Sequence, residues 1–142
     1  MKAALGQARL AFLAGEVPVG AVVAKDGVII SRGRNRKESR KNPSRHAEME
    51  ALERACKKLQ NWRLTGCTLY TTMEPCMMCL GVILESRIER VVYGTEDRRM
   101  GFLRYFKEQR PPYAYDVDFT PGVLGDEACR LLKEFFQLRR GG

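Results

Sequence analysis

A chain of 142 residues, 44% hydrophobic and 30% charged, has the size and make-up of one soluble globular domain and contains no run of about 18 apolar residues that would span a membrane. Twenty-five Lys and Arg against seventeen Asp and Glu leave a net charge of +8, a balance that attracts polyanions without specifying one. Five cysteines, with only Cys76 and Cys79 in a short patterned spacing, exclude a disulfide-framed scaffold and fit a reducing compartment.

Residues 2–14 read as a helix with Leu5, Ala8, Phe12 and Leu13 on its apolar side and Leu10 fitting imperfectly. Met1–Gly15 lacks the basic start, long apolar stretch and small-residue end of a secretory leader, so a cytoplasmic protein is expected. Val17–Ala24 and Val28–Ser31 are β-branched runs around Lys25-Asp26-Gly27. Asp-Gly between two such runs predicts a hairpin, because both turn residues must tolerate positive φ. Residues 32–45 form a polar, basic loop. Ser44 is placed to cap a helix from Arg45 to Leu59, whose apolar positions are Met49, Leu52, Ala55, Cys56 and Leu59.

Cys67–Thr72 reads as a strand, and Pro75 suits the first turn of a helix running to Ser86. A further strand covers Arg90–Tyr93, and a helix over Phe102–Gln109 stops before Pro111-Pro112. Tyr115–Thr120 alternates as a short strand, and Asp126–Arg139 closes the chain as a helix. No repeat or linker divides the sequence, so residues 1–142 read as a single domain. A helix and a hairpin followed by alternating strands and helices make an α/β fold, a mixed sheet covered by helices.

The chemistry concentrates in His46-Ala47-Glu48 and Pro75-Cys76-Met77-Met78-Cys79. Zinc favours imidazole and thiolate, and a catalytic zinc takes three protein ligands while leaving its fourth position to water. Cys76 and Cys79 at i,i+3 share one face of a helix start, where unpaired N–H groups also stabilise thiolates. His46, the chain's one histidine, starts a helix as well, which lets His46 and Glu48 aim at one point. This reading makes His46, Cys76 and Cys79 ligands of one Zn2+ per subunit and leaves Glu48 as a carboxylate that is not a ligand. Zinc brings the ionisation of water close to neutral pH. Glu48 can then carry the proton to a ring nitrogen and on to a departing amine, the course of hydrolytic deamination. An HxE followed by PCxxC is the established signature of the zinc deaminases.

The chain resembles the bacterial tRNA-specific adenosine deaminases, a branch of the cytidine deaminase-like superfamily. The resemblance is carried by Glu16-Val17-Pro18-Val19-Gly20-Ala21-Val22, Gly33-Arg34-Asn35-Arg36, His46-Ala47-Glu48, Trp62-Arg63-Leu64, Thr68-Leu69-Tyr70, Glu74-Pro75-Cys76 and Cys79, with a weaker match at Phe135-Phe136 and Arg139-Arg140. It runs from about residue 2 to 97 and resumes near 117. The resemblance implies a three-layer α-β-α fold on a mixed five-stranded sheet, a homodimer, and conversion of adenosine to inosine at the tRNA anticodon wobble position. It also implies substrate contacts from Asn35, Ala47 and Pro75. Residues 98–115 depart from the family pattern, so a deaminase of a free base or nucleoside such as guanine, cytosine or adenosine is the alternative substrate reading.

The loop 32–45 carries Arg32, Arg34, Arg36, Lys37, Arg40, Lys41 and Arg45 against Glu38. It borders both Asn35 and His46, which favours contact with RNA phosphates over an idle solvated face. Phe102, Tyr105 and Phe106 fall at i, i+3, i+4 and read as a core-facing stripe rather than a base-stacking platform. A non-catalytic zinc-stabilised RNA-binding module is the competing class of protein. It requires a fourth ligand from Cys56, Cys67 or Cys129 and gives Glu48 no task.

Overall fold

The computed structural model describes residues 1–102 and 117–141. The first helix, α1 (Lys2–Leu13), buries Ala4, Leu5, Ala8 and Ala11. Strands β1 (Gly20–Lys25) and β2 (Val28–Arg34) form the expected hairpin. Its turn residues Asp26 and Gly27 have φ of 51° and 76°, the positive values this turn needs. The first strand begins at Gly20 rather than Val17, since Pro18 has no N–H to give a sheet. The second continues to Arg34, so the basic segment expected as loop from residue 32 starts as strand.

A short helix, α2 (Lys37–Arg40), leads to α3 (Ala47–Leu59). The N-cap of α3 is His46, and no side chain caps it. Ser44, expected to do so, lies in the preceding turn, where its hydroxyl donates to Asn42 Oδ1 at 2.7 Å. The buried stripe of α3 is made of small residues, Ala47, Ala51 and Ala55 with Leu52, while Met49 is half-buried. That slim face fits Gly33 of β2, where a Cβ would collide with the Ala47 carbonyl.

Strand β3 (Cys67–Met73) is followed by α4 (Met77–Glu85), β4 (Arg90–Thr95), β5 (Asp118–Thr120) and α5 (Gly125–Gly141). Cys76 is the N-cap of α4, in extended conformation, so Pro75 stands just ahead of the helix and not in its first turn. The helix expected over Phe102–Gln109 and the start of the strand expected at Tyr115 lie outside the described residues, apart from Phe102 itself.

The five strands run in the order β2-β1-β3-β4-β5. The pairs β1/β2 and β1/β3 are antiparallel, and β3/β4 and β4/β5 are parallel. Alternation along each strand sends side chains to opposite faces. Ala21, Val23, Leu69 and Val91 pack with Ala51 and Leu52 of α3 and Ile83 of α4. On the other face Gly20 meets α1 and Gly94 meets Ala128 of α5. The result is a three-layer α-β-α fold on a mixed five-stranded sheet. Its directions gather the end of β2, the entry to β1 and the ends of β3 and β4 at one edge, the end where α/β sheets carry their sites.

Candidate active site

At that edge two helix starts face each other. His46 caps α3, and Cys76 caps α4 with Cys79 three residues on. His46 Nδ1 lies 3.6 Å from Cys76 Sγ and 3.5 Å from Cys79 Sγ. A tetrahedral zinc with bonds of about 2.3 Å to sulfur and 2.0–2.1 Å to nitrogen sets an N···S edge of about 3.6 Å. The donor set therefore fits zinc in both chemistry and spacing. Among the described residues no other His, Cys, Asp or Glu joins the group, so none of Cys56, Cys67 and Cys129 offers the fourth ligand that a closed structural site needs.

The electrostatics already treat the cluster as one unit. A hydrogen bond from Cys79, together with His46, pulls the Cys76 thiol down to about 4, into the thiolate form at neutral pH. Cys79 is pushed up as the partner that holds the proton, and burial pushes it the same way. The hydrogen bond with Cys76 raises His46. A divalent cation among these atoms would deprotonate a coordinating thiol outright.

Glu48 is the second residue of α3, in its first turn, and is 4% exposed. Burial raises its carboxyl above the ordinary value, the condition under which a carboxylate can hold a proton. Thr71 of β3 donates its hydroxyl to Glu48 Oε1 at 3.1 Å. Sequence reasoning missed Thr71; only its inward position in an alternating strand marks it.

His46, Glu48 and Cys76 open onto a cavity of about 470 Å³ whose apolar wall includes Val17, Val19 and Phe136. Asn35 and Ala47 line it as well, whereas Pro75 is buried and does not. The Asn35 amide is already held: its Nδ2 donates to Val17 O, and its Oδ1 accepts the Lys37 N–H, both at 3.3 Å. One N–H and one lone pair remain for a ligand.

A second residue, to which the sequence reading gave no role, is Glu74, 5% exposed, whose carboxylate accepts the Asp97 N–H at 3.2 Å. Gly101 forms an antiparallel bridge with Cys76, and Phe102 N–H donates to Pro75 O at 3.1 Å. The segment after β4 is thus fastened to the segment that carries the cysteines, and it brings Arg99 and Met100 to the cavity wall. Phe102 is fully buried between Tyr93 and Phe119, the core role expected of it, while Tyr105 and Phe106 lie outside the described residues.

Among the described residues, two of the seven cations in the 32–45 segment are paired with carboxylates. Arg45 pairs with Glu53 through two hydrogen bonds of 2.8 and 2.9 Å. Arg36 Nε lies 3.1 Å from Glu50 Oε1.

Hydrolytic deaminases are the class this arrangement defines: a mixed sheet of this order holds an imidazole and two thiols together beside a buried carboxyl that belongs to no ligand group, and the imidazole, one thiol and the carboxyl open onto one cavity. The family model for MafB19-like deaminases matches residues 1–139. More narrowly, the chain belongs to the tRNA-specific adenosine deaminase family. It is 40% identical over 141 residues to the tRNA-specific adenosine deaminase of Bacillus subtilis, covering 96% of this chain and 86% of that protein. The protein of the same name from Aquifex aeolicus is 42% identical, covering 99% and 93%. A solved tRNA:A34 deaminase superposes with a TM-score of 0.87 at 37% identity, over 93% of this chain and 97% of its own.

Proposed function

We propose that this protein is a zinc-dependent deaminase that converts adenosine to inosine at the wobble position of a tRNA anticodon. We further propose that it works as a single-domain homodimer in the cytoplasm. The observation that carries this reading is Glu48, a buried carboxyl that belongs to no ligand set yet sits beside one, facing a cavity large enough for a base. Relatives named for action on tRNA support the substrate, and an unpaired loop base is cheap to turn out into such a cavity.

His46, Cys76 and Cys79 would hold the zinc, which when bound makes water acidic enough to ionise near neutral pH. Glu48 removes a proton from the attacking water and places it on the ring nitrogen next to the amino-bearing carbon. It then carries the water's second proton to the amine. Ammonia leaves, and the ring keeps a carbonyl where the amino group was. Val17, Val19 and Phe136 shield that exchange from bulk solvent, and the spare N–H and lone pair of Asn35 orient the nucleoside.

The test is to incubate the holoenzyme with tRNA and map inosine by sequencing, beside ammonia release from free guanine, cytosine and adenosine. Inosine confined to the first anticodon position is the expected result. Rapid turnover of a free base with tRNA left intact would overturn the substrate. The Glu48→Gln variant should retain its metal and fold while losing at least about 10²-fold in rate. Undiminished turnover would remove Glu48 from the mechanism.

A further inference from the structure

A second cavity, of about 310 Å³, lies beside the first, and Asn35 stands in the wall of both. Arg34, Arg36 and Arg40 line it against one carboxylate, Glu16. Glu16 is 2% exposed, and both its oxygens are in use: Oε2 accepts the Glu38 N–H at 3.1 Å and Oε1 accepts the Ser39 N–H at 2.7 Å. It anchors the backbone of α2, and neither oxygen forms an ion pair with the arginines among the described residues.

Arg36 shares its charge with Glu50, but Arg34 and Arg40 have no ion pair among the described residues. Arg34 is half-buried, and its backbone N–H donates to Glu50 Oε2 at 3.3 Å, which fixes the stretch of β2 from which the side chain extends into the cavity wall. A concave wall with two uncompensated guanidinium groups is suited to a multi-oxygen anion, since the planar fork of arginine matches phosphate oxygens in pairs. The neighbouring cavity takes the base. An anion one residue away along the same wall is then the sugar–phosphate backbone continuing from it.

We infer that the second cavity is a subsite for an RNA backbone phosphate adjacent to the nucleotide being deaminated, held by Arg34 and Arg40. The inference rests on the tRNA reading given above and locates within it where the strand is gripped. Phosphate contact of this kind fixes register without reading sequence, and it leaves a signature in salt dependence.

The experiment measures the concentration of a tRNA anticodon stem-loop that half-saturates inosine formation, across a range of salt concentrations. It compares the zinc-loaded protein with an Arg34→Gln/Arg40→Gln variant. The control is Lys25→Gln/Lys58→Gln, which loses the same charge elsewhere. Lys25 pairs with Val28 at the hairpin turn, whereas Arg34 pairs with Gly20 at the opposite end of that ladder, and Lys58 is in the last turn of α3, away from His46.

One phosphate contact on a single strand predicts that the slope of log affinity against log salt falls by about 0.7 in the arginine variant. The lysine control should keep the slope of the unaltered protein. If the double variant fails to fold, Arg40→Gln alone, at an exposed position, should lower the slope by part of that amount while Lys58→Gln leaves it unchanged. A slope unchanged in the folded arginine variant, or lowered equally in the lysine control, overturns the subsite. If the unaltered protein makes no inosine in the stem-loop, the tRNA reading itself fails, which is a separate result.

Discussion

At the scale of single residues, Thr71 shows how the buried carboxyl is served. Its one hydroxyl hydrogen has two acceptors, Glu48 Oε1 and Met73 O, each at 3.1 Å. With Glu48 ionised the hydroxyl donates to the carboxylate. With Glu48 protonated it can accept from the carboxyl and donate to the Met73 carbonyl. A hydrogen bond to a charged group contributes about 1.5–3 kcal/mol. Thr71→Val, which keeps the shape, should therefore lower kcat by roughly tenfold or more. Thr71→Ser should recover most of it, and steady-state kinetics on tRNA with both variants will check this.

The Arg45–Glu53 pair makes a different, pH-dependent contribution. Its hydrogen bonds hold Glu53 below its ordinary value of 4.5. A depressed carboxylate stabilises the fold above that ordinary value, and the benefit is lost as pH falls through the depressed one. Glu53 is 47% exposed, so the pair is worth less than about 1 kcal/mol. Urea midpoints of Glu53→Gln and the unaltered protein should differ slightly at pH 7 and converge in acid.

At the scale of elements, α3 is placed by what its neighbours lack. Gly33 has no side chain, and the face opposite it is alanine, so the helix that begins at His46 lies directly against β2. Overpacking a tight contact costs about 1–3 kcal/mol. Gly33→Ala is expected to lower the urea midpoint by a corresponding amount. It should also reduce activity beyond any loss of folded protein, because it shifts Glu48 relative to Asn35.

The sequence made the strands, the hairpin and α3 visible through alternation, an Asp-Gly turn and helical spacing. It put the starts of α3 and α4 within a residue or two but did not reveal which residue caps each. Ser44 has the chemistry of a cap, but Asn42 takes its hydroxyl. Pro75 fits a first helical turn, but the N-cap is its neighbour Cys76. Both outcomes turn on backbone geometry at a single residue, which a residue type favours without deciding.

At the scale of the molecule, the ligand triad ties α3 to α4 across the sheet edge. Loading with metal should therefore stabilise the fold as well as enable turnover. A ligand that binds only the native state adds RT ln(1 + [L]/Kd) to its stability. Treatment with a strong chelator should abolish activity and lower the melting temperature, and stoichiometric Zn2+ should restore both. Calorimetry alongside elemental analysis provides the check. No described helix is long and apolar enough to cross a membrane. The proposed homodimer is tested by sedimentation.

By itself the sequence determined the reacting groups. An imidazole, two thiols and a carboxyl in HAE and PCxxC carry their chemistry wherever they sit, and local spacing places each pair at a helix start. Only the tertiary structure decided what surrounds them: Thr71 on Glu48, Glu74 on Asp97, Asn35 shared between two cavities, and Arg36 and Arg45 turned toward carboxylates on α3. The paired side chains lie 8 to 23 positions from their partners, and no local pattern fixes their directions. They meet because antiparallel β2-β1-β3 and parallel β3-β4 bring distant chain segments to one edge, and that proximity is a property of the packed sheet.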